Sequence, residues 1–181
     1  MRIRADKIKK LAGTRKVTRD QLAQAIERDG LKGETARSAI NNWLRGRNHS
    51  RARKGDIDRI AVALGVASKD IAKFTSEVRF HRGSPRKADL LVDLVRGKPV
   101  DEALNLLTFS TKRAALNVKK CLAAAIADAE QNEADVTNLI VSEARIDDAP
   151  RIKRFNQKDR GRAHQILKRL THITVSVQER A

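Results

Sequence analysis

The side chains in this chain with chemistry to offer are mostly cations, and the chemistry is neutralisation of phosphate. Arg151, Lys153, Arg154, Lys158, Arg160, Arg162, Lys168 and Arg169 crowd one stretch, offset only by Asp147, Asp148 and Asp159. Strand-like residues flank it, Leu139 to Ile146 before it and Ile173-Thr174-Val175-Ser176-Val177 after it, the latter alternating apolar and polar. Two strands that must pair across a segment too polar to bury predict a hairpin arm over about residues 145–172. With a dozen residues a side at ~3.3 Å each, it would reach roughly 40 Å. Such an arm is not stable alone in water and needs a polyanion to lie against. The alternative reading of the same composition is a disordered basic loop.

A second set of such residues lies near the N-terminus. A helix predicted from Thr35 to Arg45 buries Ala36, Ile40, Trp43 and Leu44 and presents Arg37, Ser38, Asn41, Asn42 and Arg45 outward. Asn and Arg make bidentate contacts with base edges. The loop after it, with Arg47, His49, Arg51, Arg53 and Lys54, would meet phosphates; a solvated polar face is the alternative. Trp43 belongs to the core rather than to a stacking surface.

Charge supports nucleic acid as the partner of both regions. The chain has 39 Lys and Arg against 22 Asp and Glu, a net +17. Residues 1–80 carry 20 basic and 9 acidic groups (+11), leaving 19 and 13 (+6) for the rest. With no Tyr and few aromatics, a base-stacking surface for single strands is not expected. His49, His81, His164 and His172 show no ligand spacing with one another or with Cys121, and neither a phosphate loop nor a nucleophile-base grouping occurs. No enzyme activity, metal or cofactor is expected. The lone cysteine excludes an internal disulfide, no run reaches the ~20 residues of a membrane span, and Met1-Arg2-Ile3-Arg4 is unlike a signal peptide. These features predict a cytoplasmic protein without a membrane partner.

The elements that must position these residues fall into two groups. Residues 1–75 read as four or five short helices: one capped by Thr18 with Gln21 in a capping box, the Thr35 helix stopped by Gly46, one capped by Asp56 and ended by Gly65, and one capped by Ser68 carrying Ile71 and Phe74. Glu27 to Glu34 makes a long connection containing two glycines. After a short alternation at Val78 and Phe80, residues 76–181 read as three helices and a small antiparallel sheet. Ser84-Pro85 opens the first, with Leu90, Leu91, Leu94 and Val95 inward and Gly97 ending it. Pro99 opens the second, with Ala103, Leu106 and Leu107 inward. Ser110 or Thr111 caps the third, which runs to about Gln131 with Ala115, Val118, Leu122, Ala125, Ile126 and Ala129 buried. The alternation of Leu139–Ile146 changes phase near Ser142-Glu143, which predicts a β-bulge. The fold class is α+β with a hairpin arm, preceded by an all-α domain.

Several motifs in order resemble one family. Ser84-Pro85-Arg86-Lys87-Ala88, Leu94-Val95-Arg96-Gly97-Lys98, Ala124 to Glu130, Asp147-Asp148-Ala149-Pro150, Arg160-Gly161-Arg162-Ala163 and Thr171-His172-Ile173-Thr174-Val175 are similar to bacterial large-subunit ribosomal protein number twenty-two, over about residues 78–180. The resemblance implies a structural ribosomal protein with large-subunit rRNA, neighbouring ribosomal proteins and the nascent peptide as partners. Its arm would line the exit tunnel with Ile152, Lys153 and Arg154 at the tip. Arg86, Lys87, Arg96, Lys98, Lys112, Arg113, Lys119 and His172 would join the arm cations on rRNA, while Asp89 stands where relatives often carry a base. Gln21-Leu22-Ala23, Ile40 to Gly46 and Ile60 to Val66 resemble a lambda-repressor-type helix-turn-helix over about residues 5–75. That likeness implies DNA or additional RNA as a partner, and makes a DNA-binding regulator or a dual-function protein the alternative function.

Overall fold

The computed structural model describes residues 1–47 and 51–180. They form two compact units, Met1–Phe74 with Gln131–Ala134, and Thr75–Glu130 with the residues from Asp135 on.

The first unit contains β1 (Arg2–Ile3), α1 (Ala5–Arg15), α2 (Arg19–Ala25), α3 (Glu34–Leu44), α4 (Lys54–Leu64) and α5 (Ser68–Ile71). The start of β2 (Ala72–Arg82) pairs antiparallel with β1. Thr18 caps α2 as the sequence predicts: Gln21 N–H donates to its Oγ1 at 3.3 Å, and the Gln21 side chain accepts from Thr18 N–H at 2.8 Å. Leu22, Ile26, Ile40, Trp43, Ile57, Ile60, Leu64, Ile71 and Phe74 form the core.

Two expectations for this unit need correction. Asp56 is not the N-cap residue of α4, which begins two residues earlier, but caps it from the third helical position. It is buried, accepts the Arg53 N–H at 2.9 Å and pairs with Arg28 at 3.1 Å. Ser68 is the first residue of α5 rather than its cap, and Phe74 lies on β2. The connection after α2 is tightly folded, because Arg28 and Leu31 exchange backbone hydrogen bonds and Gly30, at φ +82°, supplies the reversal. Leu31 is buried, and Arg28 fastens the turn to α4.

The second unit sets α6 (Pro85–Val95), α7 (Val100–Phe109) and α8 (Ala115–Glu130) against β2, β3 (Leu139–Gln157) and β4 (Ala163–Glu179). Strand order is β2-β4-β3, with α8 packed on β4 and α6 on β3. The stripe expected on α8 is buried in full, with Cys121 added, but the helix starts at Ala115, too late for Ser110 or Thr111 to cap it. On α6 the apolar phase differs: Ala88, Leu91, Val92 and Val95 face inward and Leu90 and Leu94 are exposed. Both stripes have helical spacing, and only the sheet decides between them. Of the three apolar residues expected inward on α7, Ala103 and Leu107 are buried and Leu106 is half-buried.

β3 and β4 pair antiparallel from Leu139↔Glu179 out to Gln157↔Ala163. Their register shifts between Val141 and Glu143, the bulge that the phase change predicts. A second shift between Ala149 and Ile152 follows from Pro150, which has no N–H to give the ladder.

Candidate nucleic-acid interface

The arm begins where burial ends. Ala149 and its partner Leu170 are each 7 % exposed, the last buried pair on the hairpin. Beyond them every residue from 151 to 169 is exposed except the half-buried Ile152. Eight paired or extended residues, 150–157, carry the arm roughly 26 Å past that pair at ~3.3 Å per residue, shorter than the sequence estimate. Residues opposite each other share a face, so Lys153, Phe155, Gln165 and Leu167 lie on one side. Ile152, Arg154, Ile166 and Lys168 lie on the other. Each face therefore mixes cations with apolar groups, and neither is a core face.

The turn comprises Lys158 to Arg162. Lys158 N–H donates to Arg162 O at 2.7 Å, and Arg160 (φ +52°) and Gly161 (φ +73°) both take the left-handed conformation. This corrects the expected tip. Ile152, Lys153 and Arg154 are on β3, opposite Lys168, Leu167 and Ile166, several residues short of the turn. Among the described residues, Arg151, Lys153, Lys158, Arg160, Arg162, Lys168 and Arg169 form no ion pair, so the arm's positive charge is uncompensated within the protein.

The body residues of the expected RNA set divide. Arg86 and Lys87 on the first turn of α6, and Lys112 and Arg113 before α8, are exposed. Arg96 is exposed but already engaged, its Nε and Nη2 donating to Ala144 O at 3.0 and 2.7 Å and its Nη1 pairing with Asp93 at 2.7 Å. Lys98 pairs with Glu102, and Lys119 Nζ donates to Thr108 Oγ1 at 2.9 Å. His172 accepts the Phe80 N–H at Nδ1, at 3.3 Å. The nearby His81 imidazole has its pKa lowered, first by burial and then by the Arg113 charge. Cys121 is inert by position: fully buried, its Sγ lies 3.3 Å from Ser76 O, and burial raises its pKa.

In the first unit, Arg37, Ser38, Asn41, Asn42 and Arg45 line one shallow depression of about 530 Å³ with Glu34. Arg37 is turned to Asp20, 2.9 Å away, while Arg45 stays exposed just past the C-terminus of α3. Arg47 and Arg51 are exposed, and Arg53 and Lys54 stand at the start of α4. His49 lies outside the described residues. The sequence reading missed Phe80 and Phe155, exposed at 55 % and 74 %. An aromatic within an alternating segment passes for core, and only the fold exposes it. Residues 76–178, more than half of the chain, match the family described as Ribosomal protein L22p/L17e.

Proposed function

The chain belongs to the ribosomal protein L22p/L17e family, whose members are structural constituents of the ribosome, and from that premise we propose that it binds large-subunit rRNA through its arm. The observation that carries this reading is the arm itself: residues 150–170 hold eight Lys and Arg against one acid, Asp159, and bury nothing beyond Leu170. Cations that position a protein on RNA work by phosphate contact and shape, not by reading bases. Arg86, Lys87, Lys112 and Arg113 extend the contact onto the body. Ile152 and Arg154, which share one face of the arm, meet the nascent peptide, and Lys153 on the opposite face is left for rRNA.

If about six phosphates are neutralised, log K for an rRNA transcript falls with log salt at a slope of about −4 to −5. Replacing Lys153, Arg154, Arg160 and Arg162 by Gln flattens that slope by about 3 units. An unchanged slope overturns the arm as the RNA contact.

Residues 1–75 add a second nucleic-acid contact, on a helix-turn-helix plan with residues 76–181 as the ribosomal part. What supports it is the grouping of Asn41, Asn42, Arg45 and Ser38 in one depression, together with the +11 charge of residues 1–80. The connection between Ala25 and Glu34 is longer than the tight turn of a helix-turn-helix and displaces α3 from the base edges, so binding is weak, salt-sensitive and largely indifferent to sequence. An Arg51/Arg53/Lys54→Gln variant loses more affinity for random duplexes than Asn41→Ala/Asn42→Ala. The reverse order, or a selected DNA binding about a thousandfold better than random, makes this a sequence-specific domain instead.

A further inference from the structure

We propose that Phe80, at the root of the arm, is a stacking platform for one unpaired RNA base, with the cations around it taking the flanking phosphates. This rests on the rRNA-binding reading and goes beyond it, since it names a base contact that phosphate binding does not need. Phe80 stands at φ +54°, a conformation that its Cβ makes costly and that glycine or asparagine would adopt more readily. The ring gains only partial burial in return, since the residue is 55 % exposed. Packing within the protein is therefore a weak reason for a phenylalanine there.

The conformation is held from both sides. Phe80 N–H donates to His172 Nδ1, and Thr171 Oγ1 donates to the neighbouring His81 O at 3.4 Å. The His172 ring meets the Phe80 ring at 4.9 Å and 70°, edge to face, and fixes its plane. A rigid aromatic ring held this way loses little freedom on binding.

The surroundings choose the ligand. Arg82 and Arg113 are exposed, and Arg113 is close enough to His81 to act on its charge. The acids nearby are already paired, Glu77 with Arg79 at 3.1 Å and Asp147, opposite His172 on β3, with Arg145 at 3.4 Å. An apolar protein side chain would gain nothing from that rim, whereas a nucleotide uses both parts, base on ring and phosphate on guanidinium. A paired base is closed inside its helix, so the base must come from a loop or bulge.

The test compares the full-length protein with Phe80→Asn, which suits the same backbone without the ring, and Phe80→Trp, which keeps it. The probes are oligo(A), a blunt RNA duplex and isolated large subunits. Phe80→Asn binds oligo(A) about tenfold more weakly with an unchanged salt slope and binds the duplex normally. Phe80→Trp retains affinity, and its added emission is quenched by oligo(A), while Trp43, 4 % exposed, contributes a constant background. Equal binding of oligo(A) by wild type and Phe80→Asn, or unquenched emission, overturns the platform. So does loss of Phe80→Asn from large subunits with oligo(A) binding intact, which would put the ring against protein. If the four-residue arm variant loses affinity and Phe80→Asn does not, only the platform fails. If neither loses affinity, the RNA-binding reading fails with it.

Discussion

The boundary between body and arm is sharp enough to be measured by single truncations in the protein free of RNA. Leu170 is 7 % exposed and closes the core, whereas Leu167, on the same strand, is 44 % exposed and touches only the arm. Leu170→Ala removes a packed side chain and leaves a cavity, which costs about 2–3 kcal/mol. Leu167→Ala, Ile166→Ala and Phe155→Ala should each cost about 0.5 kcal/mol or less, as surface changes do. For a unit of roughly a hundred residues, the first change lowers Tm by about 10–15 °C and the others by only about 2–4 °C. Deleting residues 151–169 and joining Pro150 to Leu170 through an Asn-Gly turn should leave Tm within about 5 °C of the parent, since no fully buried side chain is lost and only Ile152 is half-buried. Differential scanning calorimetry of the free protein reads all of these. Equal costs for Leu167→Ala and Leu170→Ala, or a truncated chain that no longer melts cooperatively, would show that the arm packs on its own protein, and the case for an RNA-dependent arm would lose its basis.

Two further outcomes follow from charged groups inside the units. Asp56→Ala strands Arg28 and leaves the Arg53 N–H without its acceptor, so urea unfolding should show a loss of about 3 kcal/mol, with Asp56→Asn costing less because the amide oxygen still accepts. His81 has a folded pKa below its usual 6.5, so the unfolded chain binds more protons as pH falls through that value. Its contribution to stability is complete above pH 6.5 and declines on acidification down to the folded pKa. A pH series of melting curves for His81→Asn should show a flatter slope in that window, and an unchanged slope would refute the assignment.

Much of the fold was legible because local chemistry and tertiary packing agree. Thr18 with Gln21, Ser84-Pro85, Gly65 and the α8 stripe each specify one arrangement with few competitors. The bulge at Ser142 was legible for a different reason: alternation has a period of two, so one extra residue flips the phase visibly. What failed was choice among equivalents. On α6 two stripes share helical spacing, and the sheet selected the one with Ala88 and Val92. Asp56 was read as the first cap residue, whereas it caps from the third helical position and also holds Arg28, twenty-eight residues away in sequence. The same limit applied to the candidate interface. The arm cations could be found by composition, while the bonding of Arg96 to Ala144 O and the left-handed backbone of Phe80 depend on partners that spacing does not encode.

The arm's composition also answers a problem of its own geometry. Beyond Leu170 it is a two-stranded ribbon, and β3 is already the outer strand of its sheet, so the arm offers unpaired N–H and C=O groups along its edges. Exposed edges of this kind invite pairing with other chains, the more so when Phe155, Ile166 and Leu167 are also exposed. Lys and Arg are the residues that natural proteins use to block that pairing, and here one stands next to Phe155 in sequence and one directly opposite each of Ile166 and Leu167. Eight cations against one acid between residues 150 and 170 keep two arms from pairing with each other. The same charge suits the arm to the polyanion partner proposed for it, and would disfavour a second basic surface.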